Sequence, residues 1–102
     1  MELTASVSTH CPSEAAFAAA DRLGMMMQPE LSHWNPNDAF ESGESFSYYQ
    51  QELALTILWL ANHPSFVMLT FGNELCTGEM GRERMSRMLE QARALDSTRL
   101  YA

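Results

Sequence analysis

The chain has no lysine and only six arginines against thirteen aspartates and glutamates, a formal net charge of -7 over 102 residues. A surface of that sign repels phosphate backbones and anionic lipid, so nucleic acid and the membrane surface are set aside as partners. Cysteine is nearly as scarce, with only Cys11 and Cys76. Two thiols cannot form the multi-bridge framework that small secreted domains use in place of a core, so reduced, structural thiols are expected. The three histidines, His10, His33 and His63, are each isolated, and no His or Cys pair has zinc-site spacing. Neither a metal nor another cofactor is expected. Long hydrophobic runs are missing as well: the longest uncharged apolar stretch, Leu53 to Ala61, is far below the roughly 20 residues of a membrane span. The first nine residues carry Glu2 and no basic residue, so no signal peptide is read and a cytoplasmic location is favoured over secretion. The length leaves room for one domain, residues 1–102, and excludes a second.

What is present is a globular composition, 46% apolar and free of low-complexity tracts. Ser13 is placed to cap a helix with Glu14 in its first turn and Arg22 in its last, and Gly24 stops it. Phe17, Ala20 and Leu23 form its narrow apolar stripe. The run Met25 to Gln28 does not alternate, which suits a strand covered on both faces. From Pro29 to Ser45 the composition turns to Ser, Asn, Pro, Gly and acidic residues, a long loop of the kind that usually carries function. A second helix is expected over Ser47 to Ala61, with Tyr49, Leu53, Ile57 and Leu60 on one face and Leu55 and Trp59 on a flank. Phe66 to Phe71 reads as a central parallel strand, and Gly81 to Leu95 as a third helix with Met85, Met88, Leu89, Ala92 and Leu95 at helical spacing. After a turn at Asp96 to Thr98, Arg99 to Ala102 starts another strand. Alternation of this sort builds a parallel sheet with crossover helices, an α/β fold of about three βα units that has the form of a slice through something larger. Most of the eight methionines fall in these strands (Met25, Met26, Met27, Met68) and on the third helix (Met85, Met88), where they are expected to fill core space.

Gly72, Asn73 and Glu74 stand immediately past the carboxyl end of the Phe66 to Phe71 strand, where catalytic groups of α/β folds collect. A glutamate in that place can act as a proton donor near neutral pH. Equally, Asn73 and Glu74 can simply cap the helix that follows.

The segment HPSFVMLTFGNEL (His63 to Leu75) resembles the acid/base strand of the family 2 glycoside hydrolases, the β-galactosidase, β-glucuronidase and β-mannosidase group, whose catalytic domain is a (β/α)8 TIM barrel. His10, Cys11 and Pro12 match that family's His-x-Pro loop after the second strand. DRLGMMMQPEL (Asp21 to Leu31) is similar to its helix-to-third-strand passage, with Pro29 and Glu30 in place of the usual acidic pair. The resemblance runs from about His10 to Ala102 and implies a partial barrel covering roughly strands two to five.

Carried over by that resemblance, Glu74 is the general acid/base and Asn73 the donor to the sugar 2-hydroxyl. His10 lines the sugar site, Glu30 joins it from the end of the third strand, and Trp34 is either an aromatic platform for a pyranose face or an anchor of its loop. His63 is given a packing role. The implied activity is retaining hydrolysis of terminal β-glycosides, in carbohydrate metabolism and with a carbohydrate substrate. Such a mechanism needs a second carboxylate about 5 to 5.5 Å from the first, and in this family that nucleophile comes from the seventh strand. The chain alone is therefore expected to be inactive. The reading from a different class is a non-catalytic α/β module that binds carbohydrate or serves as an interaction unit, left by truncation. Two open sheet edges, and an inner face expected to include Met26, Val67 and Leu69, imply pairing between copies into a homo-oligomer, or aggregation.

Overall fold

In the computed structural model, which describes residues 5–7 and 12–102, strand and helix alternate: β1 (Ala5–Val7), α1 (Glu14–Leu23), β2 (Met26–Gln28), α2 (Gly43–Leu60), β3 (Met68–Leu69), α3 (Glu79–Leu95) and β4 (Leu100–Tyr101). His10 and Cys11 lie outside the described residues. β1 pairs parallel with β2, Ala5 opposite Met26, and β3 pairs parallel with β4, Met68 opposite Leu100. Parallel bridges Met27 to Phe66, Glu30 to Thr70 and Trp34 to Asn73 join the two pairs, so the strands run β1-β2-β3-β4 as one arc. Chain order equals spatial order, with a helix in each crossover, which is the topology of a (β/α)8 barrel segment. β1 is a strand that sequence pattern did not mark.

The local reasons follow the expected physics. Ser13 Oγ accepts from the Ala16 amide at 3.4 Å, and Gly24 ends α1 at φ 71°, a left-handed position that glycine enters without a Cβ penalty. α2 starts at Gly43, earlier than Ser47, because Ser42 Oγ accepts from the Ser45 amide and supplies the cap. The β3 ladder reaches from Phe66 to Thr70 through its flanking bridges, close to the expected strand. Among the described residues no helix is long and apolar enough to cross a membrane.

One core lies between the sheet and the helices: Phe17 from α1, Leu53, Ile57 and Leu60 from α2, Met88 and Ala92 from α3, and Met27, Phe66, Leu69 and Phe71 from the sheet. Burial of each large side chain contributes on the order of 2 kcal/mol. Two expectations are corrected here. Leu23 is 75% exposed, because the α1 stripe that reaches the core ends at Ala20. Leu69 is fully buried in the core with the helices and not on the open face, and Tyr101 opposite it is buried too, whereas Leu100, opposite Met68, is 68% exposed.

At the amino end of the sheet the elements are tied by polar side chains. Asp21 accepts from the Ser65 amide at 2.9 Å and pairs with His63 Nδ1 at 2.6 Å, while Ser65 Oγ donates to the Phe17 carbonyl. Burial alone would push the Asp21 carboxyl up, but the bonds from Ser65 and His63 outweigh it and hold it below the ordinary aspartate value. His63 also lies against the Phe17 ring, so the packing role expected of it is the one it has. α2 has no basic residue in its last turn. Arg99, leading into β4, supplies the missing cation: it donates to the carbonyls of Ala61, His63 and Phe66, pairs with Asp96 and stacks over the Phe66 ring.

Candidate active site

At the carboxyl end the two loops after β2 and β3 run side by side. The Asn73 amide donates to the His33 carbonyl at 2.9 Å, and the Cys76 amide to Asn35 O at 3.0 Å. Gly72 makes this approach feasible, since a Cβ there would collide with the His33 carbonyl oxygen. From below, Tyr49 Oη donates to Ser32 O at 2.7 Å, and the His33 ring packs between Phe40 and Tyr49. Burial in this aromatic nest holds the His33 imidazole below its ordinary pKa, which keeps it neutral, and pushes the Tyr49 phenol up.

This framework brings three of the expected site residues together. Trp34 is bridged to Asn73 in the ladder, and its indole Nε1 donates to Glu74 Oε2 at 3.0 Å. Glu74 is exposed and adopts φ 52°, a left-handed conformation that costs a non-glycine residue about 1 kcal/mol. Glu30 sits on the same ladder at the Thr70 bridge; it is 7% exposed, and its Oε2 has no hydrogen-bond partner among the described residues. His10 lies outside the described residues, so its place in the site stands as an expectation.

The capping alternative for Asn73 and Glu74 does not hold. α3 begins at Glu79 with Gly78 at the cap, and the carboxylate that accepts from the Gly78 and Gly81 amides is Glu41, from the loop after β2. Glu41 Oε1 accepts from Thr77 Oγ1 at 2.8 Å, Gly78 N at 3.0 Å and Gly81 N at 3.1 Å, while Arg84 donates to the Phe40 and Glu41 carbonyls. The Thr77 hydroxyl, the two amides and the Arg84 charge together hold the Glu41 carboxyl below its ordinary value. Sequence reasoning missed Glu41 and His33. Thr77 and Gly78 hinted at a helix start, but nothing in the spacing links it to a carboxylate so far upstream. Two shallow grooves of about 480 and 490 Å³ open along α2, and neither is lined by Glu30, Trp34, Asn73 or Glu74.

A parallel sheet whose strand-end loops present an exposed glutamate beside an asparagine is the arrangement that resembles a glycosidase acid/base strand, and residues 10–102 match the family described as "Glycosyl hydrolases family 2, TIM barrel domain". The chain belongs to glycosyl hydrolase family 2. A search among curated proteins returns no match. Solved family 2 structures superpose closely. The β-D-glucuronidase of Dictyoglomus thermophilum shares 24% identity at a TM-score of 0.80, over 96% of this chain and 19% of that one. The Parabacteroides merdae β-glucuronidase shares 20% at 0.80, and Bacteroides uniformis β-glucuronidase 3 shares 22% at 0.77, each over 96% of this chain and 13% of its own. The chain thus spans less than a fifth of the length of these enzymes, and the fold they share with it is a segment of the family 2 TIM barrel.

Proposed function

We propose that this chain carries the acid/base half of a retaining β-glycosidase site, with Glu74 as the group that moves the proton. The observation that supports it most is the state of Glu74: exposed, held in left-handed backbone at the end of β3, and unused by the helix that follows. In the first step Glu74 gives its proton to the glycosidic oxygen as the bond to the sugar breaks; in the second, as carboxylate, it takes a proton from the attacking water. Asn73 donates to the sugar 2-hydroxyl, a bond that strengthens as charge develops on the ring. Glu30, with a buried oxygen that has no partner among the described residues, takes a hydrogen bond from a sugar hydroxyl. His10 is carried into the sugar site by the family resemblance alone, and the exposed Trp34 ring borders that site. The second carboxylate belongs to a strand beyond the four described, so turnover requires a polypeptide that completes the barrel.

The test uses two aryl β-glycosides, one with a good and one with a poor leaving group. In a barrel-completing polypeptide, Glu74→Gln loses more activity on the poor leaving group, because only that substrate depends strongly on proton donation. Equal loss on both sinks the acid role. The isolated chain shows no hydrolysis of either; turnover by purified wild-type chain that disappears in Glu74→Gln would refute its incompleteness. Sugar binding without turnover in the completed polypeptide favours the non-catalytic carbohydrate module.

A further inference from the structure

We infer that Trp34 is a positioning residue that selects which oxygen of Glu74 carries the catalytic proton; the inference rests on Glu74 being the acid/base. An indole N–H donates and cannot accept. The oxygen it faces, Oε2, must therefore present a lone pair whether Glu74 is ionised or protonated. In the acid form a carbonyl oxygen accepts this bond better than a hydroxyl oxygen, so the indole favours Oε2 as the carbonyl and leaves the proton to Oε1, the oxygen with no protein donor on it among the described residues. In the first step the Oε1–H bond breaks as the new O–H bond forms on the leaving oxygen, and the electron pair stays on Glu74. In the second step Oε1 accepts the proton of water, and Oε2 remains on the indole throughout.

Three features make this a built arrangement. The Trp34 backbone is fixed by the Asn73 bridge and by the hydrogen bonds that the Asn73 and Cys76 amides donate to the His33 and Asn35 carbonyls, so the indole nitrogen is delivered to one place. The left-handed turn at Glu74 brings the carboxylate to that nitrogen. The Trp34 side chain is 63% exposed, so packing does not account for its orientation, and the bond to Glu74 does. Its role is thereby distinct from that of a platform for a sugar face, which would use the ring and not the N–H.

Proton–nitrogen correlation spectra of the full chain carrying Trp59→Phe, which leaves Trp34 as the sole indole, test this directly. Between about pH 7 and about pH 3, the range in which carboxylates protonate, the Trp34 indole N–H resonance is expected to shift. That shift is expected to be lost in Trp59→Phe/Glu74→Gln. Both replaced side chains are exposed, so the fold should tolerate them. An indole resonance that does not move with pH, or moves identically with Gln at position 74, overturns the inference. That failure would leave the acid reading intact, since the latter falls on the leaving-group comparison, which in turn leaves the indole bond untouched.

Discussion

The two ends of the sheet are built to different rules. At the amino end, Asp21, His63, Ser65, Arg99 and Asp96 make bonds that close on one another and tie α1, α2 and β4 to the sheet. At the carboxyl end, Glu30 Oε2, Thr70 Oγ1 and His33 Nε2 are buried without partners among the described residues, and Glu74 stands exposed in left-handed backbone. Polar groups left unsatisfied are costly, so a fold keeps them where a ligand will complete them. Under the proposed function the contrast gives stability to one end and chemistry to the other, the division known for barrels of this kind. Glu41 marks the border: it lies in the site loop, yet its side-chain hydrogen bonds serve the start of α3.

The contrast can be broken from either side. The largest effect expected is chemical: in a barrel-completing polypeptide, Glu74→Gln should lower kcat/KM for a poor leaving group by about 10²- to 10⁴-fold, and for a good one by far less, as read from initial rates. Next comes the junction of the two loops. Gly72→Ala forces a Cβ onto the His33 carbonyl oxygen and should destabilise the chain by about 1–3 kcal/mol in a urea titration.

Acid should weaken both ends, in sequence. His33 is held below its ordinary pKa, so the unfolded chain binds its proton first and stability starts to fall below about pH 6.5. Asp21, Glu41 and Asp96 are held below their ordinary values and stabilise the fold above about pH 4, a contribution lost as pH drops through their folded values. Unfolding midpoints against pH should show both declines, and His33→Gln should remove the first. The smallest effect is at neither end: Trp59, 56% exposed on α2, should tolerate Trp59→Gln within about 0.5 kcal/mol.

Much of this was legible in the sequence where the signal is local. Ser13 and Gly24 bracket α1, and the unalternating runs at Met26 and Phe66 to Phe71 are strands, because capping and burial on both faces leave marks within a few residues. Glu74, Asn73 and Glu30 are candidates through the family resemblance, and Trp34 through the loop that follows Pro29. What was not legible depends on pairs distant in the chain. β1 is too short to show a pattern, the Glu41 cap joins residues 36 or more apart, and the Trp34-to-Glu74 bond spans 40. Leu23 and Leu69 went to the wrong surface because periodicity gives a face without saying what covers it.

The central claim, that Glu74 is present for chemistry and Asp21 for the fold, is tested most directly by urea unfolding midpoints of Glu74→Gln and Asp21→Asn at neutral pH. Glu74→Gln should leave the midpoint unchanged or raise it, since Gln can still accept from the Trp34 indole and no other element bonds to that side chain among the described residues. Asp21→Asn should lower it clearly, by weakening the charged partner of His63 and the acceptor for the Ser65 amide. A Glu74→Gln midpoint that falls as far as that of Asp21→Asn would make Glu74 a structural residue and contradict the account.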